Sequence, residues 1–160
     1  MKVNYFLNCP SFVLFFQLHY FLQRNLHLQD LILQLPVLEP MRYSRKLVEG
    51  SDEWNAAVSR AERIGPGGAG VGTFMSPCEK ECGNAIFTEG GSLIVLSPEG
   101  FAPRWHPTRN KEALCAEGRM LFLSLYEPQA ARPDNATLYR RCHEMGDLAV
   151  AALGRKSQNS

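Results

Sequence analysis

The stretch "GAGVGTFMSPCEKE", Gly68 to Glu81, preceded by Gly65-Pro66-Gly67, decides how this chain is read. A glycine-rich run that cradles phosphate follows a strand and opens a helix. A glycine-rich turn instead leads the chain into a strand. Here Gly67, Gly68, Gly70 and Gly72 precede or lie within "VGTFM", which reads as a short strand. Neither GxGxxG nor GxxxxGK[ST] occurs. Gly67 and Gly68 are therefore expected as turn residues, and no cofactor is expected.

The candidate anion site lies at the other end of that strand. Ser76-Pro77-Cys78-Glu79 has the form S-x-x-E, a capping box with proline at the first helical position. It sets a helix start just after the strand. The N–H groups of that start would face the edge where parallel sheets hold ligands. Ser76 and Lys80 are accordingly candidate ligand contacts. Glu79 is the best carboxylate for acid–base work should the chain be an enzyme, although capping alone accounts for it. Cys78, Cys82, Ala85 and Ile86 share one helical face and are expected to pack in the core.

Upstream, Ser51 reads as an N-cap, with Asp52 and Glu53 in the first turn. Trp54, Ala57, Val58, Ala61 and Ile64 recur at helical spacing, and Gly65-Pro66-Gly67 ends the helix. Downstream, "SLIVLS" (92–97) and "MLFLSLY" (120–126) are continuous apolar runs, the pattern of strands covered on both faces. Asp134 is placed to cap a last helix with the stripe Leu138, Cys142, Met145, Ala149 and Leu153, ended by Gly154. The order helix–strand–helix–strand–loop–strand–helix predicts an α/β, three-layer Rossmann-like fold with a mainly parallel sheet over residues 51–154. Residues 155–160 are expected to be a disordered tail.

Residues 1–50 read as an apolar N-terminal helical segment and connector, packed on the main domain. "KVNYFLN" is a weak strand, 11–28 a helix, and 36–50 a connector carrying Pro36, Pro40 and Gly50. "SFVLFFQLHYFLQ" is interrupted by Gln17, His19 and Gln23 and falls short of the ~20 apolar residues of a membrane span. No small-residue cleavage site follows it. A buried helix is expected, not a membrane segment, or else an interface for a homo-oligomer. The region has no clear element caps, which leaves open that the chain is a fragment.

The loop "SPEGFAPRWHPTRNKEALC" leaves the strand "SLIVLS" at its carboxyl end. It carries Arg104, Trp105, His106, Arg109, Asn110 and Lys111 close together. Arginine grips phosphate bidentately and tryptophan stacks on bases. His106 is an acid or base near neutral pH, and Pro103 and Pro107 stiffen the segment. Arg104, Trp105, His106, Arg109 and Asn110 join the candidate ligand contacts. The alternative is a surface loop with Trp105 in the core and solvated arginines. Arg140 and Arg141 read as a solvated helix face.

With 160 residues, 45% hydrophobic and 21% charged, the chain fits one globular domain. A formal net charge of +1 points to no class of partner, and nucleic-acid binding would need a local basic patch. Five cysteines, odd in number and irregular in spacing, argue against a disulfide framework and for reduced thiols in a cytoplasmic protein. Cys78 and Cys82 lack further ligands, so no metal site is expected. Cys142 and His143 are adjacent, about 100° apart on a helix, and do not share an ion.

The segments "GVGTFMSPCEKECGNAIFTEGGSLIVLSPEGF", "EGRMLFLSLYEP" and "CHEMGDLAVAAL" together resemble the second half of the Rossmann-like domain of the DNA-processing protein A (DprA/Smf) family. Gly90-Gly91, "LIVL" and "SLYEP" fall at matching places, and the resemblance covers about residues 68 to 153. The family's glycine-serine-arginine loop is not visible, and "SPCEKE" stands where its alanine- and histidine-containing helix start would be. The resemblance implies single-stranded DNA or nucleotide binding in DNA processing or recombination. "PGGAGVGTFMSPCEKE" is also similar to the PGGxGTxxE motif of the nucleoside-monophosphate phosphoribohydrolases, through Pro66, Gly67, Gly68, Gly72 and Thr73. Two extra residues precede Gly72-Thr73, and the glutamate is displaced. That likeness implies cleavage of an N-glycosidic bond with Glu79 as the carboxylate. A third reading is a non-enzymatic domain that binds a protein partner through its apolar N-terminal segment.

Overall fold

The computed structural model describes residues 35–101, 106–127 and 131–153. Among the described residues the sheet has four short strands: β1 (Val37–Met41), β2 (Gly68–Gly72), β3 (Ser92–Leu96) and β4 (Met120–Leu123). They lie side by side in chain order and all are parallel. Gly70 stands opposite Glu39 on one side and Leu93 on the other, and Ile94 stands opposite Leu121. Between and after the strands run α1 (Asp52–Glu62), α2 (Pro77–Thr88), α3 (Arg109–Ala116) and α4 (Asn135–Leu153).

Side-chain alternation along the strands sends neighbours to opposite faces. Met41, Leu93 and Met120 join Trp54, Ala57 and Ala61 of α1, Cys78, Cys82 and Ile86 of α2, and Cys115 of α3 in one core. Ala69, Val71, Ile94, Leu96, Leu121 and Leu123 face the other way, onto Met145 and Ala149 of α4. Strands laid down in chain order with crossovers of one hand place the three connecting helices on the same face. The last helix covers the opposite face. The result is the α/β, three-layer, Rossmann-like architecture with a parallel sheet that the sequence pattern predicts.

Two local expectations are corrected. The glycine run is the strand itself: β2 is "GAGVG", not "VGTFM", and Gly68 belongs to the strand and not to a turn. A Cβ at Gly68 would stand 2.7 Å from Ile64 Cγ2, and one at Gly70 would stand 2.5 Å from Ile86 Cδ1. One at Gly72 would fall on the Met41 carbonyl. The glycines therefore let β1, α2 and the end of α1 close on β2. Secondly, the segment read as a connector over 36–50 contains β1. Pro36, Glu39 and Pro40 break its apolar pattern. Among the described residues β1 pairs only with β2, and proline is tolerated on such an edge.

The region read as a loop between β3 and β4 also holds the short helix α3. The strand expected at "KVNYFLN", the helix over 11–28, the end of the last helix at Gly154 and the tail 155–160 lie outside the described residues. Among the described residues no helix is long and apolar enough to cross a membrane.

Candidate functional site

Because all strands are parallel, the residues that follow them share one edge of the sheet. These are Arg42 and Tyr43 after β1, Thr73 to Ser76 after β2, Ser97 to Glu99 after β3, and Ser124 to Tyr126 after β4. The first half of α4 lies along this edge. Arg141 Nη1 donates to the Pro98 carbonyl at 3.2 Å, and its guanidinium stacks 4.1 Å from the Tyr126 ring centre. Tyr126 donates its hydroxyl to Glu144 at 2.9 Å. Arg42 Nη2 pairs with Asp147 at 2.7 Å.

Glu79 ties the first two connections together. Its Oε1 accepts the Tyr43 N–H at 3.1 Å. Its Oε2 accepts the Met75 N–H at 2.9 Å, the Thr73 hydroxyl at 3.2 Å and the Ser76 N–H at 3.3 Å. The residue is buried, with 5% of its surface exposed. Between these donors Phe74 takes a left-handed backbone, φ +51°, and packs its ring over Gly83, where a Cβ would stand 3.2 Å from Phe74 Cδ1.

The capping box forms as the sequence predicts, with Ser76 Oγ accepting the Glu79 N–H at 3.2 Å. Its completeness changes what the helix start offers. Pro77 has no N–H, Glu79 gives its own to Ser76 Oγ, and Lys80 gives its own to the Ser76 carbonyl. Only the Cys78 N–H is left over by the cap. Ser76 itself is buried, whereas Lys80 is exposed and makes no ion pair among the described residues.

A second cluster, on the α4 side of the edge, was not anticipated. Arg42 lays its stem across Gly146, where a Cβ would stand 2.9 Å from Arg42 Cδ. From there Nη2 reaches His143 Nδ1 at 3.1 Å as well as Asp147. Arg45 holds its guanidinium 5.5 Å from the Tyr139 ring centre, and Tyr139 meets His143 edge-on at 4.4 Å. Tyr139 is 51% exposed, and Arg45 makes no ion pair among the described residues. Cys142 sits beside this group; burial pushes its thiol up, and the Arg45 charge opposes that. Arg42 and Arg45 fall in the segment read as a connector. Tyr139 and His143 lie off the apolar stripe of α4. The available signal was their i, i+4 spacing, which puts an aromatic and an imidazole on one helix face.

The predicted basic loop is met in part. Arg104 and Trp105 lie outside the described residues. His106 is exposed, with Nδ1 3.1 Å from the Pro107 carbonyl. Arg109 and Asn110 are exposed on the first turn of α3, whose N-cap Thr108 makes no side-chain capping bond. Arg140 pairs with Glu144 at 2.7 Å, while Arg141 is half-buried against Tyr126 and not on a solvated face. Among the described residues no three His, Cys, Asp or Glu side chains gather as a metal set. Cys78, Cys82 and Cys115 are buried in the core, and burial raises all three thiols.

No protein-family model matches the sequence, and neither does any curated protein. Among solved structures the chain is similar to DNA processing protein A from Helicobacter pylori, described for its single-stranded DNA binding mode. The identity is 16% and the TM-score 0.48, over 79% of this chain and 64% of that one. The chain thus spans about 64% of that structure's length. It is the family that the sequence segments resemble. The fold described above stands on its own strand order and register, and the site on its own distances.

Proposed function

We propose that this chain binds single-stranded nucleic acid, or its nucleotide unit, at the carboxyl edge of the sheet. One observation carries the reading: Arg45, without an ion pair among the described residues, lies over the exposed Tyr139, with Arg42 and His143 alongside. Cations take phosphates and release counterions, while aromatic faces take bases of any sequence. This is the local patch that a net charge of +1 demands. The uncapped first turn of α3, with Arg109 and Asn110, offers further donors on the β3 side. His106 and Lys80, both exposed, are further contacts in this reading, and Arg104 and Trp105 join them on the strength of the sequence alone. The sequence resemblance to DprA implies the same ligand class.

Glu79 serves this surface as a positioning residue and not as a catalyst. Its carboxylate is engaged by four donors and holds the two connections together, which leaves it poorly placed for hydrolysis of a glycosidic bond.

The test is fluorescence anisotropy with a labelled single-stranded oligonucleotide. Affinity is expected to fall between about 50 and 200 mM salt. Arg45→Ala should reduce the salt slope, and Tyr139→Ala should weaken binding by about 1–3 kcal/mol. Binding that neither substitution alters would refute the assignment.

A further inference from the structure

Resting on that reading, we propose that the site takes up a proton together with its phosphate, and that His143 is the group that receives it. A guanidinium only donates hydrogen bonds. Arg42 Nη2 stands 3.1 Å from His143 Nδ1, so in this arrangement Nδ1 is the acceptor and carries no proton. Protonating that nitrogen turns it into a donor and sets two donors face to face. A phosphate oxygen only accepts. Placed between them, it satisfies both, so the bound phosphate and the imidazolium stabilise each other.

The groups around His143 fit this exchange. Arg42, from the connection after β1, and Arg45, over the Tyr139 ring, are its cationic neighbours. Asp147, one turn along α4, is anionic and is itself held by Arg42 at 2.7 Å. Glu144, the next residue, is engaged by Tyr126 and Arg140. Also on α4, Cys142 adjoins His143 in sequence, and Arg140, three positions back, is paired with Glu144 at 2.7 Å. The Tyr139 ring, tilted 61° to the imidazole with ring centres 4.4 Å apart, adds no full charge. An incoming phosphate is therefore the charge that tips the balance. His143 is exposed, so proton and ligand both reach it. By linkage the effect is reciprocal: phosphate favours the protonated imidazole, and lower pH favours phosphate.

The experiment is an anisotropy titration with oligo(dT), whose bases take up no proton in this range, between about pH 8 and pH 5.5, where imidazoles titrate. Binding is expected to tighten as pH falls, by up to about tenfold per pH unit, the limit for one linked proton. His143→Gln removes that slope. The His143 ring proton signal in NMR should titrate at higher pH with oligo(dT) than without it. Salt-sensitive binding with no pH slope, or a slope that survives His143→Gln, overturns the proton uptake and leaves the nucleic-acid reading standing. No binding at any pH overturns both.

Discussion

Glu79 shows how a motif read correctly carries less than the structure makes of it. In sequence it is the fourth residue of S-x-x-E, and a cap explains it. In the fold its two oxygens also hold the Thr73 hydroxyl, the Met75 N–H, and the Tyr43 N–H from 36 positions upstream. No spacing rule reveals a partner at that distance, because helical and strand periods report only local neighbours. The two roles are separable. Losing a cap costs about 1 kcal/mol, so Ser76→Ala should be mild. Glu79→Gln keeps one acceptor oxygen and turns an amide N–H₂ toward donors that then lack a partner. Buried bonds to a charged group are each worth about 1.5–3 kcal/mol, so it should destabilise more than Ser76→Ala. Urea unfolding of the two variants is the check. Equal losses would mean that Glu79 does no more than cap.

At the scale of elements, legibility tracked pattern strength. α1, α2 and α4 announce themselves by cap residue and apolar stripe, and β3 and β4 by continuous apolar runs. β1 does not, because "VLEPM" on an edge needs no uninterrupted apolar run and tolerates proline. β2 was displaced because its glycines suit a turn as well as a strand, and only the close approach of Ile64, Ile86 and Met41 decides between them. The cation–aromatic cluster was missed for the same reason, since half of it hangs from β1. The cap of α4 makes a testable claim. Asp134 accepts the Thr137 N–H at 2.8 Å and its hydroxyl at 3.0 Å, and these bonds hold the carboxyl below its usual range. A depressed carboxyl contributes fully above its unfolded value, about 3.9, and loses its contribution as pH falls through the folded value. The melting-temperature gap between the wild type and Asp134→Ala should therefore be widest above about pH 5 and narrow steadily below about pH 4. A gap independent of pH would mean that the carboxylate charge plays no part in the cap.

At the scale of the whole molecule, the alternation of helices and apolar runs made the layered α/β fold legible. It left open which face each helix covers. The strands answer that by sending Leu93 and Met120 one way, and Ile94 and Leu121 the other. The same division places Cys78 and Cys82 of α2 and Cys115 of α3 in one core, where burial pushes Cys82 up to about 12 and Cys115 up to about 11. An unfolded thiol titrates near 8.5, so above that value the unfolded chain sheds protons that the folded core retains. A raised thiol contributes fully below the unfolded value and loses its contribution as pH rises through the folded one. Stability is thus expected to decline from about pH 8.5 upward, and Cys82→Ala should flatten that decline even if it lowers stability at neutral pH. Thiol labelling provides the kinetic counterpart. At about pH 8, Cys142, half-buried at the sheet edge, should react ahead of the three core thiols, whose rates should follow global opening and rise together with urea. A core thiol that labels as fast as Cys142 would mean that its helix opens independently of the sheet.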